Sequence, residues 1–180
     1  MKIIKTALPL SSALNVRGEK FDYSDSYRIH CTDSYDIITP TYLGKAFLSS
    51  APKWTESLFV LRNKIVSVFG LKTSSKPVNK VNMLANFQCE TGERIGLFKV
   101  FGKTGNEVIL GEDDKHLNFR ISILYSPCAS GKEVTISTTV KFNNWLGRLY
   151  FLPVRPIHKL IAPAMLKGMI KNIEKNQPLA

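Results

Sequence analysis

Cysteine is scarce in this chain, and the three it has, Cys31, Cys89 and Cys128, stand far apart with no CxxC pair. That spacing suggests neither a disulfide framework nor a thiolate zinc site, and free thiols are expected instead. Histidine is equally rare, at three residues. Asp113 and Asp114 are adjacent carboxylates in a turn with no further ligand at a usable spacing, so no metal site is expected. Asp22 and Asp25 lie three apart on a predicted strand and point to opposite faces, which is wrong for a carboxylate pair in acid–base work. No GxSxG is present, and no GxGxxG follows a strand, so neither a nucleophile elbow nor a dinucleotide cofactor is expected, and no catalytic residue is assigned. No run approaches the ~18 apolar residues of a membrane span. The apolar stretch in Met1 to Leu10 is cut by Lys5 and Pro9, too early for a signal segment, and the expected location is the cytoplasm. Acidic residues are also short, 14 against 25 basic, which leaves a net charge of +11. Such a charge attracts anionic partners. The cations are scattered, however, without a run of five or an aromatic-flanked signature, so nucleic acid is not expected as a partner.

What is present reads as one domain over residues 1–180, 44% hydrophobic and long enough to bury a core. Residues 1–20 show no strong period and predict an extended arm. Phe21 to Cys31 alternates through Tyr23, Tyr27 and Ile29 and predicts the first strand. Thr39-Pro40 is a helix start, with a side-chain cap followed by a proline whose missing N–H is harmless there, and that helix should end near Leu48. Pro52 opens a second predicted helix through Trp54, Leu58, Leu61, Ile65 and Val68, stopped by Gly70. The polar region from Leu71 to Glu93 is a candidate lid. Arg94 to Phe101, Glu107 to Gly111, Lys115 to Tyr125 and Glu133 to Phe142 read as strands joined by turns. In the last two, Leu117, Phe119, Ile121 and Ile123 share a face, as do Val134, Ile136, Val140 and Phe142; the opposite faces are polar.

The chain then predicts a long helix over 147–173, the one element long enough to cover an apolar sheet face. Tyr150, Val154, Ile157, Ile161, Met165 and Gly168 fall on one stripe, which is expected to meet the sheet. Leu152, Leu166 and Ile170 fall on the far side and leave a second apolar surface. Pro153, Pro156 and Pro163 predict an irregular first turn and a bend. Lys167, Lys171 and Lys175 suit a solvated C-terminal edge.

Helices segregated from an antiparallel run make an α+β fold. Three patches carry a resemblance: Asp22-Tyr23-Ser24-Asp25-Ser26-Tyr27; Gly111-Glu112-Asp113-Asp114-Lys115-His116-Leu117-Asn118-Phe119-Arg120; and Asn143-Asn144-Trp145-Leu146-Gly147-Arg148-Leu149-Tyr150 with Pro156-Ile157-His158. In these the chain resembles the domain-of-unknown-function family 2867, within the helix-grip superfamily of START-like and birch-pollen-allergen-like (SRPBCC) proteins. The resemblance implies a curved antiparallel sheet wrapped around a long C-terminal helix, with two shorter helices after the first strand and a hydrophobic cavity between. The expected partner is accordingly a small hydrophobic or amphipathic molecule. His116, Arg120 and His158 are the candidates to meet a polar head group at the cavity mouth, Arg120 through its bidentate fork. Alternation instead places His116 and Arg120 on the polar sheet face, away from the helix, where they are surface residues. Arg148 and Tyr150 are candidates at the helix start, where anchoring the helix is the simpler role. Phe119, Phe142 and Ile161 are candidate lining residues that could equally be core. The alternatives are a cyclase- or dehydratase-like enzyme on the same fold, or a module binding protein or membrane through the leftover helix surface.

Overall fold

A computed structural model describes residues 1–33, 36–50, 80–129 and 131–175. Its elements are β1 (Ile4–Thr6), β2 (Tyr23–Cys31), α1 (Pro40–Ser49), α2 (Lys80–Asn86), β3 (Arg94–Ile95), β4 (Phe98–Lys103), β5 (Glu107–Asp113), β6 (Leu117–Cys128), β7 (Gly131–Phe142) and α3 (Trp145–Lys175). The strands form one antiparallel sheet in the order β1-β2-β7-β6-β5-β4-β3, with β1 and β3 at the open edges. The α+β class therefore holds, with the C-terminal helix laid on one sheet face. The helix expected over 52–70 lies outside the described residues, as does 71–79 of the candidate lid. The part of that lid within the described residues includes the short helix α2.

The register follows the alternation. Directly paired residues share a face, and the pairs Tyr27↔Ile136, Ile136↔Ile123 and Ile123↔Val108 line up one inner row. This row is buried under Leu43 and Phe47 of α1 and Leu166, Met169, Ile170 and Ile173 of α3. Thr39 caps α1 by accepting the Tyr42 N–H at 3.2 Å, with Pro40 in the first turn, as its sequence predicts. Three strand expectations change. Arg94 to Phe101 is two strands, reversed at Gly96 in a left-handed conformation of φ 58°. β5 runs on to Asp113, and Pro127 and Cys128 belong to β6, paired with Lys132 and Gly131.

The arm over residues 1–20 has more structure than its sequence suggests. It adds the edge strand β1 and then crosses the outer sheet face, where Ser12 and Leu14 are buried. There the buried Glu107 carboxylate accepts hydrogen bonds from Ser12 Oγ (2.5 Å), the Ala13 N–H (2.7 Å) and Ser122 Oγ. Ser26 Oγ donates to Ser137 Oγ at 2.8 Å beside it. The polar face is thus buried at its centre, because hydroxyls can satisfy one another there without water.

Helix α3 runs unbroken through Pro153, Pro156 and Pro163, in place of the expected irregular first turn. Pro153 and Pro156 are exposed. The carbonyls they deprive of partners belong to Leu149 and Leu152, both exposed residues. The buried positions are Gly147, Phe151, Ala162, Leu166, Met169, Ile170 and Ile173. Leu166 and Ile170, expected on the far side, are fully buried, while Tyr150, Val154, Ile157, Ile161, Met165 and Gly168 are half-buried. A single-stripe reading assumes one contact surface along the whole helix. Here the second half has another neighbour: Asn172 Nδ2 donates to Ser50 Oγ at 3.0 Å, and a Cβ on Gly168 would lie 3.1 Å from the Ser50 carbonyl.

This placement separates two leucines six positions apart. Leu166→Ala should cost about 2–5 kcal/mol by emptying a core site, whereas Leu160→Ala should stay within about 0.5 kcal/mol. Urea unfolding midpoints measure both; equal costs would put the helix in the wrong rotation.

Candidate functional site

Across the middle of the sheet face under α3, one row is polar. Strand alternation brings Tyr23, Asp25 and Tyr27 to the inner face, and Asp25 pairs with Thr138 of β7, itself beside Ile121. A carboxylate in that position must find partners or be expelled. Asp25 has two: the Tyr23 hydroxyl donates to Oδ2 at 2.6 Å, and His158 Nε2 reaches Oδ1 at 3.3 Å from α3. The side chain of Asp25 is 3% exposed and that of His158 18%, so the histidine is the accessible end of the group. Tyr23 packs edge-on to the His158 ring (5.9 Å, 82°) and against Phe151 (4.9 Å), with the Arg155 guanidinium 5.6 Å from its centroid.

This row divides the interior. On one side lies the main core; on the other a smaller cluster of Tyr23, Leu117, Val140 and Phe151, flanked by half-buried Phe142, Tyr150 and Val154. Phe119 packs against both. The result is a polar belt, Asp25–Thr138–His158, between two apolar surfaces.

Charge in the belt follows its surroundings. Burial works against the Asp25 carboxylate, but the hydrogen bond and charge of His158, the Tyr23 hydroxyl and the charge of Lys5 outweigh it and hold its pKa below the ordinary 3.8. Burial and the neighbouring carboxylate push both Tyr23 and Tyr27 up, so each stays a neutral phenol. With Asp25 ionised, the proton of a neutral His158 belongs on Nε2, which leaves Nδ1 as an acceptor. A hydrogen-bond acceptor backed by a buried carboxylate can orient a donor group or take a proton from it.

The predicted site residues do not converge as a group. His116 sits in the turn before β6 and its Nδ1 donates to Asn144 Oδ1 at 3.1 Å. Asn144 also caps α3 by accepting the Gly147 N–H at 3.1 Å, and its Nδ2 donates to the Lys115 carbonyl at 3.0 Å. The Asn143 N–H donates to the His116 carbonyl (2.9 Å) and its side chain to Asn118 Oδ1 (2.9 Å). Two of the three family-like patches are therefore one clamp that fastens the helix start to the β5–β6 turn. Arg120 lies on the outer face, opposite Thr139 and Gly111. It bridges to Asp113 (2.8 Å), donates to the Phe119 and Glu112 carbonyls and stacks 3.4 Å from the Phe101 ring centroid, so it does not share a site with His158. Arg148 is exposed, 3.7 Å from Asp22, whose carboxylate accepts the Phe142 N–H at 2.7 Å. That contact ties the helix to the sheet. Of the candidates, His158 stands in the belt; Phe119, Phe142 and Tyr150 are half-buried in the apolar clusters beside it, and Ile161 is half-buried on α3. Tyr23, Asp25 and Tyr27 were missed. Their signal was an acidic residue at the centre of an inward i, i+2, i+4 set, a position that demands a partner from across the core. A cleft of about 380 Å3 at the β1–β2 edge, lined by Met1, Lys2, Ile4, Arg28, Ile29, His30, Glu133 and Glu174, is separate from the belt.

Since the folded chain holds the Asp25 pKa down, the unfolded chain takes up the proton first as pH falls. The stabilisation is complete above the ordinary value of 3.8 and lost below it. Asp25→Asn should lower stability at neutral pH by about 1–3 kcal/mol and flatten the loss of stability below about pH 4. Urea midpoints taken across that range give the test, and an unchanged acid slope would remove Asp25 from the account.

No curated protein and no solved structure matches the chain. A family profile does, over residues 18–165, which takes in β2, the β5–β6 turn and the helix start through His158. The residues that build the clamp and the belt thus lie within the matched span, and the chain belongs to the family described as Protein of unknown function (DUF2867).

Proposed function

We propose that this chain is a helix-grip binding protein that holds a small amphipathic molecule between the inner sheet face and α3. The observation that carries the reading is the polar belt between two apolar clusters, with His158 as its accessible end. Ligand sites combine apolar walls with a few oriented polar groups, and such groups supply specificity. In this reading the apolar body lies along Phe119, Phe142, Val154 and Ile161, and a hydrogen-bond donor on the head group meets His158 Nδ1. Asp25 and Tyr23 hold the imidazole in place. The three free cysteines suit a reducing compartment such as the cytoplasm.

One observation favours a second reading. The Asp25–His158 pair is also the arrangement of a general base steadied by a carboxylate, so a substrate with an acidic C–H or O–H at the belt would be deprotonated rather than merely held. Binding and conversion share the site and differ in whether the bound mass changes.

Native mass spectrometry of the gently purified chain, with anilinonaphthalene sulfonate titration as a second measure, tests the proposal. A co-purified mass or saturable dye binding is expected, weakened about tenfold by His158→Gln through loss of one oriented hydrogen bond, with the fold retained. Binding of equal strength in the variant would move the head group away from the belt. A bound species that turns over in the wild type and not in His158→Gln would establish the enzymatic reading.

A further inference from the structure

The side of α3 away from the sheet carries a second pattern that ligand binding does not use. Trp145, Leu149, Leu152 and Leu160 are exposed by 69%, 44%, 66% and 68%. Their spacings of four, three and eight residues put them in one stripe along the first half of the helix, with exposed Pro156 filling the gap between Leu152 and Leu160. The stripe is distinct from the buried positions Phe151, Ala162 and Leu166, so it is not a loosened edge of the core. Single exposed leucines are ordinary, but an aligned set with tryptophan at its end is an interaction surface.

Its charge setting is one-sided. The cations of α3 are Arg148, Arg155, Lys159, Lys167, Lys171 and Lys175, and its one anion is Glu174. All six cations are exposed. By helical rotation Arg148, Arg155 and Lys159 fall on one shoulder of the stripe, and Lys167, Lys171 and Lys175 continue beyond Leu160. Arg148 is drawn toward Asp22 at 3.7 Å, and Arg155 lies over the Tyr23 ring. The helix therefore accounts for a large share of the chain's +11.

We propose that this face of α3 docks flat on an anionic lipid surface. A groove-shaped protein partner would need an acidic rim matched to the one cationic shoulder of a narrow ridge. A bilayer surface needs only what the ridge already offers: apolar side chains projecting into the headgroup layer and long cationic side chains beside them reaching phosphates. Tryptophan at the N-terminal end suits the water–lipid boundary. No helix among the described residues is long and apolar enough to cross a membrane, so the contact is peripheral, with the helix axis along the surface. Burial of one leucine is worth roughly ten- to a hundredfold in partitioning. The cations make the interaction selective for anionic headgroups and sensitive to salt.

Cosedimentation of the full chain with vesicles tests this, using phosphatidylcholine alone and phosphatidylcholine with about one-third phosphatidylserine. Binding is expected with the anionic vesicles alone, declining as salt rises, and reduced about tenfold or more by Leu152→Glu or Leu160→Glu. Both substitutions lie at exposed positions, so their melting curves should match the wild type, and Lys159→Glu should weaken binding as well. Equal sedimentation with neutral vesicles would overturn the role of charge, and binding indifferent to the stripe variants would overturn the assignment of this face. Absence of vesicle binding would also overturn it, whether the chain proves a dimer dispersed by Leu152→Glu, which gives the stripe to a second copy, or binds polyglutamate beads, which gives it to an acidic polypeptide.

Discussion

Everything on the inner side of this protein depends on the rotational setting of α3, and that setting is decided at Gly147. A Cβ there would overlap the His116 carbonyl oxygen, so only glycine lets the helix start lie so close against the β5–β6 turn. Asn144 caps the same turn of helix while holding His116 and the Lys115 carbonyl. Once the first turn is oriented, the rest follows from helical geometry. Phe151 lies one turn on, and His158, eleven residues from Gly147, lies about three turns on and on the same side, where Asp25 waits. The same rotation turns Trp145, Leu149, Leu152 and Leu160 outward. One close backbone contact thus sets both the polar belt beneath the helix and the apolar stripe above it.

Two buried carboxylates, one on each face of the sheet, add specificity to that arrangement. Asp25 ties β2 to α3, and Glu107 ties β5 to the N-terminal arm. Each is satisfied in one register only, since a slip of a single residue would send the side chain to the opposite face. Apolar packing alone tolerates such errors more readily than an unpaired buried charge does. The polar groups therefore select the native pairing, while the buried apolar residues, among them Ile29, Ile123, Ile136, Leu166 and Met169, supply the apolar burial.

Much of the fold could be read along the chain. The Thr39-Pro40 cap, the alternation of β6 and β7 and the extent of α3 are local properties, settled by residues within a few positions of one another. The candidate site was legible in one residue of its polar core, His158. No carboxylate pair within the strand marks Asp25, since Asp22 points to the opposite face, and the histidine partner of Asp25 comes from 133 positions away. His116 and Arg120 carried functional-looking chemistry, yet the fold uses one to hold the helix start and the other to brace the outer face.

The sequence by itself determined β2, α1 and the strand character of the central hairpins, the α+β class, the two-faced character of the central strands and the presence of one long C-terminal helix. These follow from periodicity, caps and turn residues, all short-range effects. Only the tertiary structure decided which side of that helix meets the sheet, that the arm over residues 1–20 buries the polar face, and that Asp25, Tyr23 and His158 form one group. The physical reason is that these depend on which surfaces lie opposite. A period of 3.6 residues defines the faces of a helix but not its neighbours, and here the neighbours change along its length, from β2 and the β5–β6 turn to α1 and Ser50.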